Sequence, residues 1–177
     1  RAPGVYTIGE TSRELLPPAM AWMGERERVE RWFILGNDYV WPRRSAVLVK
    51  AIAGRMGARV VGERYVPWIH GDFTAELDAI RASGADGVLL LLLGEDASRL
   101  CMAFDENLLY AVGEENTERL FSVSGYFCNL DTAANNSFLD SYQAMFGRRS
   151  PVPNMLGQSC YEGVHFLKSL IDTAPVS

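Results

Sequence analysis

Six consecutive apolar residues, Val88-Leu89-Leu90-Leu91-Leu92-Leu93, constrain this fold more than any other stretch of the chain. A strand with one wet face alternates apolar and polar side chains, whereas an unbroken apolar strand turns oil to both faces and needs cover on both. The run therefore predicts a central, buried strand in a mainly parallel sheet with helices on each side. It is far shorter than the ~20 residues of a membrane span.

The surrounding sequence repeats strand and helix signals in turn. Thr11 and Glu14 have capping-box spacing ahead of an apolar segment through Trp22 and Met23, an opening helix. Trp32 to Leu35 reads as a buried strand ending at Gly36. A helix then starts at Pro42, carries Val47, Leu48, Ala51, Ile52 and Met56 on one face, and closes at Gly57. Arg59 to Val66 is a valine- and tyrosine-rich strand stopped by Pro67. Phe73, Leu77 and Ile80 mark the next helix, with Gly84 behind it. Leu120 to Phe127 reads as a further strand. A helix with Phe138, Tyr142 and Met145 on one face follows, and then a last one over Ser159 to Ile171 with Val164, Leu167 and Ile171. Strands separated by helices at this rhythm define a doubly wound α/β domain, a mostly parallel sheet with helices on both faces.

One place breaks the rhythm. A strand signal at Leu100 to Phe104 follows Leu93 too closely, since a parallel crossover takes about a dozen residues. The shortfall predicts a chain break or disorder between about Asp96 and Cys101.

Composition narrows the function classes. At 177 residues, 48% hydrophobic and 22% charged, the chain has the make-up of one globular domain. A formal charge of −5, with Lys50 and Lys168 the only lysines, offers a nucleic-acid backbone no broad basic surface. Arg26, Arg28 and Arg31 alternate with acids, as on a solvated helix end. Cys101, Cys128 and Cys160 are widely spaced with no CxxC, which points to small buried hydrophobes and to neither zinc nor a redox pair. No secretory signal is recognisable at Arg1, and the compartment is not legible from it.

In open α/β sheets, ligands bind beyond the carboxyl ends of the strands. Four such edges can be named: Gly36 to Pro42 (with Asp38, Tyr39 and Trp41), Leu93 and Gly94 to Asp96, Phe104 to Asn107 (with Glu106), and Gly125 to Phe127 (with Tyr126). They are aromatic or acidic, which suits a small, polar, uncharged ligand. By residue type alone a plainer reading stands beside this one. Tyr39 and Trp41 also serve to cover the end of a sheet, and Glu95, Asp96, Asp105 and Glu106 also serve as helix N-terminal acids.

Enzymatic constellations fail. His70 and His165 are the only histidines, and no metal site or cofactor is indicated. Cys160 and His165 lie about 140° apart around a helix, so they do not form a nucleophile–base pair. GxSxG, Walker and GxGxxG patterns are missing. Catalytic residues are expected to be none.

The segment Phe33-Ile34-Leu35-Gly36-Asn37-Asp38-Tyr39-Val40-Trp41-Pro42-Arg43 resembles the Gly-Ser-Asp-Tyr-Val-Phe-Pro-Arg signature of type I solute-binding proteins for urea and short-chain amides. That branch includes the amide sensor that negatively regulates aliphatic amidase. The similarity continues through Val5-Tyr6-Thr7, Pro17 to Ala19, Gly57 to Glu63 and Tyr65-Val66-Pro67. It resumes at Tyr126-Phe127, Asp131-Thr132 and Tyr161-Glu162-Gly163-Val164, so it runs nearly the length of the chain.

The resemblance implies one lobe of a Venus-flytrap protein: residues 1–158 as the second α/β lobe, and 159–177 as a helix returning toward the first lobe. It places Tyr39 and Trp41 in the ligand cleft, Trp41 replacing the usual tyrosine or phenylalanine, and matches Glu106 to a recurrent glutamate. Phe104 stands where relatives carry a small or hydroxylic residue, and Glu10-Thr11-Ser12-Arg13 departs from the family's Ala-Pro-Asn-Gln. The implied role is non-enzymatic binding of a small amide, urea or amino-acid-like solute, either for an ABC transporter permease or as a cytoplasmic sensor acting on an antiterminator. An upstream lipoprotein signal would decide for transport, at the periplasmic or cell-surface side. No direct nucleic-acid contact, no membrane span and a possible homodimer complete the expectation. The rival of another class is an amide-processing enzyme.

Overall fold

The computed structural model describes residues 10–93 and 121–173. The chain divides into two compact units, Thr11–Phe104 with Arg119–Val123, and Ser124–Ser177 with Arg1–Glu10 and Asp105–Glu118.

The first unit begins with α1 (Ser12–Arg26), where the Thr11 N–H and hydroxyl both donate to the Glu14 carboxylate, at 2.8 and 2.9 Å. These bonds satisfy the helix start as the capping-box spacing predicts. Then come β1 (Arg31–Asn37), α2 (Val40–Arg55), β2 (Arg59–Val66), α3 (Thr74–Ser83) and β3 (Gly87–Leu91). All three strands run parallel in the order β2-β1-β3. α3 ends at Gly84 in the left-handed conformation (φ 63°), and a Cβ there would meet the Arg31 guanidinium at 2.6 Å, so only glycine fits without displacement.

Two cores form because β1 is covered on both faces. Ile34 packs with Met20 of α1 and with Val49 and Ile52 of α2. Its chain neighbour Leu35 points the other way, among Val66, Phe73 and Leu92, with Leu77 and Ile80 of α3 behind them. Helices on both faces of a parallel sheet are the doubly wound arrangement that the alternating signals predict.

Three details differ from the sequence expectation. Among the described residues β1 is the central strand. The 88–93 run supplies β3, which ladders with β1 and stops at Leu91, and Val88 is 38% exposed. Unbroken apolarity reports cover on a strand's faces, whereas hydrogen-bonded neighbours belong to its edges, so the first does not dictate the second. α2 starts at Val40 rather than at Pro42, which sits inside the first turn, where its missing N–H costs nothing. Phe121 to Phe127 form no strand. The Tyr126 N–H turns to the Ser124 hydroxyl (3.4 Å), the local bond by which Ser competes with a ladder. The expected break at 96–101 and strand at 100–104 lie outside the described residues.

The second unit is built on α4 (Ala133–Phe146) and α5 (Met155–Thr173). The Thr132 side chain accepts the Asn135 N–H as the N-cap of α4 (3.2 Å). Phe138 contacts Tyr126, Tyr142 and Tyr161. Phe146, not Met145, continues the aromatic face beside Tyr142, and Met145 is exposed. On α5 the apolar positions Val164, Leu167 and Ile171 are exposed. No helix among the described residues is long and apolar enough to cross a membrane.

Candidate functional site

In the first unit the chain passes from β1 to β2 on one side, then back across β1 to β3 on the other. The strand order therefore reverses between β1 and β3. In doubly wound sheets a crevice opens at such a point, outside the carboxyl ends of the strands. The residues that stand there are Asp38 and Tyr39 after β1 and Leu93 after β3.

Buried polar groups hold these loops in place. Asn37, fully buried at the end of β1, accepts the Leu93 N–H at 2.8 Å through its side-chain oxygen. The Asp38 N–H donates to the Val66 carbonyl of β2 at 2.7 Å. A buried amide of this kind is costly to leave unpaired, so each bond ties a loop to the core. Gly36 lets the start of α2 close down on the sheet, since a Cβ there would stand 2.8 Å from Pro42 Cβ and 3.2 Å from the Leu91 carbonyl oxygen.

Three aromatic rings gather on this edge. Tyr39 lies 6.2 Å from Trp41 (tilt 35°) and 5.1 Å from Trp68 (tilt 38°), centroid to centroid. The Trp41 indole N–H donates to the Ser12 hydroxyl at 3.0 Å, and that hydroxyl shares a 2.8 Å bond with buried Ser45. The indole edge is thus committed within the protein while the side chain stays 38% exposed. Burial pushes the Tyr39 phenol above its usual range, so it stays neutral, able to donate and accept, at ordinary pH.

The charged groups answer one another. Arg43 Nε donates to Asp38 Oδ1 at 2.6 Å, and its guanidinium lies 4.3 Å from the Tyr65 ring centroid. The hydrogen bond from Arg43 holds the Asp38 carboxyl below the ordinary range. A carboxyl made more acidic by folding stabilises the fold above its unfolded pKa and loses that contribution as pH falls through the lowered value. Asp38→Asn is therefore expected to flatten the acid limb of a plot of Tm against pH slightly and to lower neutral-pH stability by the same small amount, because both side chains are half exposed and screened. An unchanged acid limb would show that the pair is unlinked to folding.

Of the residues singled out from sequence, Asp38, Tyr39, Trp41 and Leu93 come together around the reversal point. Tyr126 belongs to the second unit, where it is buried and its hydroxyl donates to Asn135 Oδ1 at 2.9 Å. Gly94, Phe104 and Glu106 lie outside the described residues. Sequence reasoning missed Trp68. Its signal was available, since Pro67 ends β2 and puts the next residue on the same edge as Tyr39. Ser12 and Ser45 carry no such signal, because only the fold brings residues 33 apart into contact. On α5, His165 packs on Tyr161 (4.4 Å) and Cys160 is exposed. Among the described residues no group of three His, Cys, Asp or Glu side chains could hold a metal.

Known proteins share this architecture. A solute-binding protein of an ABC transporter from Rhodopseudomonas palustris HaA2, solved with p-hydroxybenzoic acid, superposes with a TM-score of 0.77 at 19% identity, covering 92% of this chain and 49% of its own. A periplasmic binding protein from Burkholderia mallei gives 0.74 at 20% identity, covering 93% and 47%. An amino acid ABC transporter substrate-binding protein from Pseudomonas fluorescens Pf-5 gives 0.68 at 20%, covering 92% and 47%. At such identities the likeness establishes the fold, and the chain spans about half the length of these structures. In sequence, the family model of periplasmic binding proteins matches residues 1–107 and 98–175, two stretches that meet where the strand–helix rhythm breaks. With nearly the whole chain matched, the chain belongs to the periplasmic binding protein family.

Proposed function

We propose that this chain is the second lobe of a two-lobed solute-binding protein that captures a small, uncharged, planar polar solute, an amide or urea, for an ABC transporter on the periplasmic side of the membrane. The carrying observation is the pairing of Asp38 with Arg43 beside the Tyr39–Trp41 wall. A free cation favours a carboxylate solute, and the Arg43 guanidinium is already held by Asp38. An amide needs only flat apolar cover and hydrogen-bonding groups that are neutral, which Tyr39 and the loop backbone supply. The relatives' names add the transporter role, although the one solved with p-hydroxybenzoic acid takes a different solute.

Residues 1–158 form the lobe in this reading, and 159–177 return toward the first lobe, which would cover Val164, Leu167 and Ile171 on α5. Asp38 and Leu93 complete the proposed lining around Tyr39 and Trp41. The role is non-enzymatic. Calorimetric titration of the full-length two-lobed protein tests it, with acetamide, urea, leucine and 4-hydroxybenzoate as probes. Binding of the amide or urea with no ammonia released, in wild type and in Cys160→Ala alike, is the expected result. Heat only from the carboxylate probes would overturn the solute class, and turnover lost in Cys160→Ala would make the protein an enzyme.

A further inference from the structure

We propose that Trp68 is a ligand-contacting, specificity-determining residue, and that the solute carries its amide on a ring or a similarly extended flat group. This inference rests on the amide-binding reading above and deepens it.

The loop after β2, from Pro67 to Phe73, leaves the sheet on the same edge as the loop after β1, and the bond from the Asp38 N–H to the Val66 carbonyl joins their roots. Trp68 is 50% exposed, with its ring against Tyr39. A tryptophan that merely plugs the end of a sheet buries its rings there, so a large apolar side chain left half in water at a ligand edge calls for a partner. Ile69 follows at φ 59° and is 69% exposed. A β-branched residue in the left-handed region is strained, and such strain persists where the surroundings hold it and gathers at binding sites.

The surroundings do hold it. His70 Nε2 lies 3.3 Å from Glu76 Oε2, its ring meets Phe73 edge-on at 5.1 Å, and Asp72 accepts from both the Thr74 N–H and hydroxyl. The turn thus presents Trp68 in a set position, with little ordering left to be done when a solute arrives.

Trp68 extends the aromatic edge past Tyr39. Tyr39 stands between Trp41 and Trp68 at 6.2 and 5.1 Å, while carbon–carbon contact is made at ~3.5–4.0 Å. A two-carbon amide on the Trp41 side of Tyr39 does not reach Trp68. A ring bearing an amide reaches Trp68 as well.

The experiment is calorimetric titration of the full-length two-lobed protein with acetamide and with benzamide, in wild type, Trp68→Ala and Trp68→Phe. Trp68→Ala is expected to weaken benzamide about tenfold or more while shifting acetamide by less than about threefold, since a lost aromatic contact acts only on the solute that makes it. Trp68→Phe, which keeps a ring, is expected to fall between wild type and Trp68→Ala, and it carries the test should the alanine variant fail to fold. Equal losses for both probes would make Trp68 a folding or closure residue and overturn the inference, as would unchanged affinity for both. If wild type binds neither probe nor urea, the amide reading itself fails and this inference with it.

Discussion

Ile34→Ala and Leu35→Ala are each expected to lower the stability of the first unit by about 2–5 kcal/mol, the usual cost of truncating a fully buried aliphatic side chain. The informative part is that both are costly. Adjacent residues of a strand point to opposite faces, so in a sheet with one wet face one of the pair would be nearly free. Here Ile34 lies among Met20, Val49 and Ile52, and Leu35 among Val66, Phe73 and Leu92, both fully buried. The two side chains enter separate cores but share one backbone, so any departure of the double variant from the summed losses reports coupling through the strand. Denaturant melts of the three variants check this. A cost confined to one position would mean that one face of β1 is not covered, and the doubly wound arrangement would be wrong.

Trp41→Ala in the full-length two-lobed protein is expected to cost about 1–3 kcal/mol of solute binding, taking burial of a large side chain as the upper scale. That loss corresponds to about a tenfold to hundredfold rise in Kd. The indole does not enter the cleft as a loose flap. Its N–H is held by Ser12, which is bonded to Ser45, so the ring face rather than the polar edge is offered outward. Removing the side chain leaves the two hydroxyls bonded to each other, which keeps the structural penalty small and the effect on binding readable. Titration with acetamide and urea measures it. Unchanged affinity in both Trp41→Ala and Tyr39→Ala would reduce these rings to covers for the end of the sheet.

Local signals were legible wherever one segment sufficed. The capping box at Thr11 and Glu14, the Gly84 stop and the strand over Arg59–Val66 each depend on a few neighbouring residues, and each is present. The aromatic edge at Tyr39 and Trp41 was legible because it directly follows a strand. What escaped depends on pairings between distant segments. The apolarity of 88–93 predicts covered faces, yet Val88 and Leu93 are exposed, and hydrogen-bond partners, of which only β1 is seen among the described residues, leave no mark on side-chain type. Phe121 and Tyr126 look strand-like by residue type, yet Ser122, Ser124 and Gly125 between them favour local bonds over a ladder. The meeting of Trp41 with Ser12 joins two positions that each depart from the family pattern, a coupling visible only once α1 and α2 are side by side.

The bonds from Leu93 N–H to Asn37 and from Asp38 N–H to Val66 have a kinetic meaning. Protection of an amide from solvent hydrogen exchange follows the free energy of the opening that exposes it, and loop amides ordinarily exchange through small local fluctuations. These two are anchored to a fully buried side chain and to the end of a core strand, so freeing them requires the sheet to open. The loop roots after β1 and β3 therefore belong to the slow-exchanging core of the unit, and under the proposed binding role any motion that admits a solute has to be sought elsewhere in the protein.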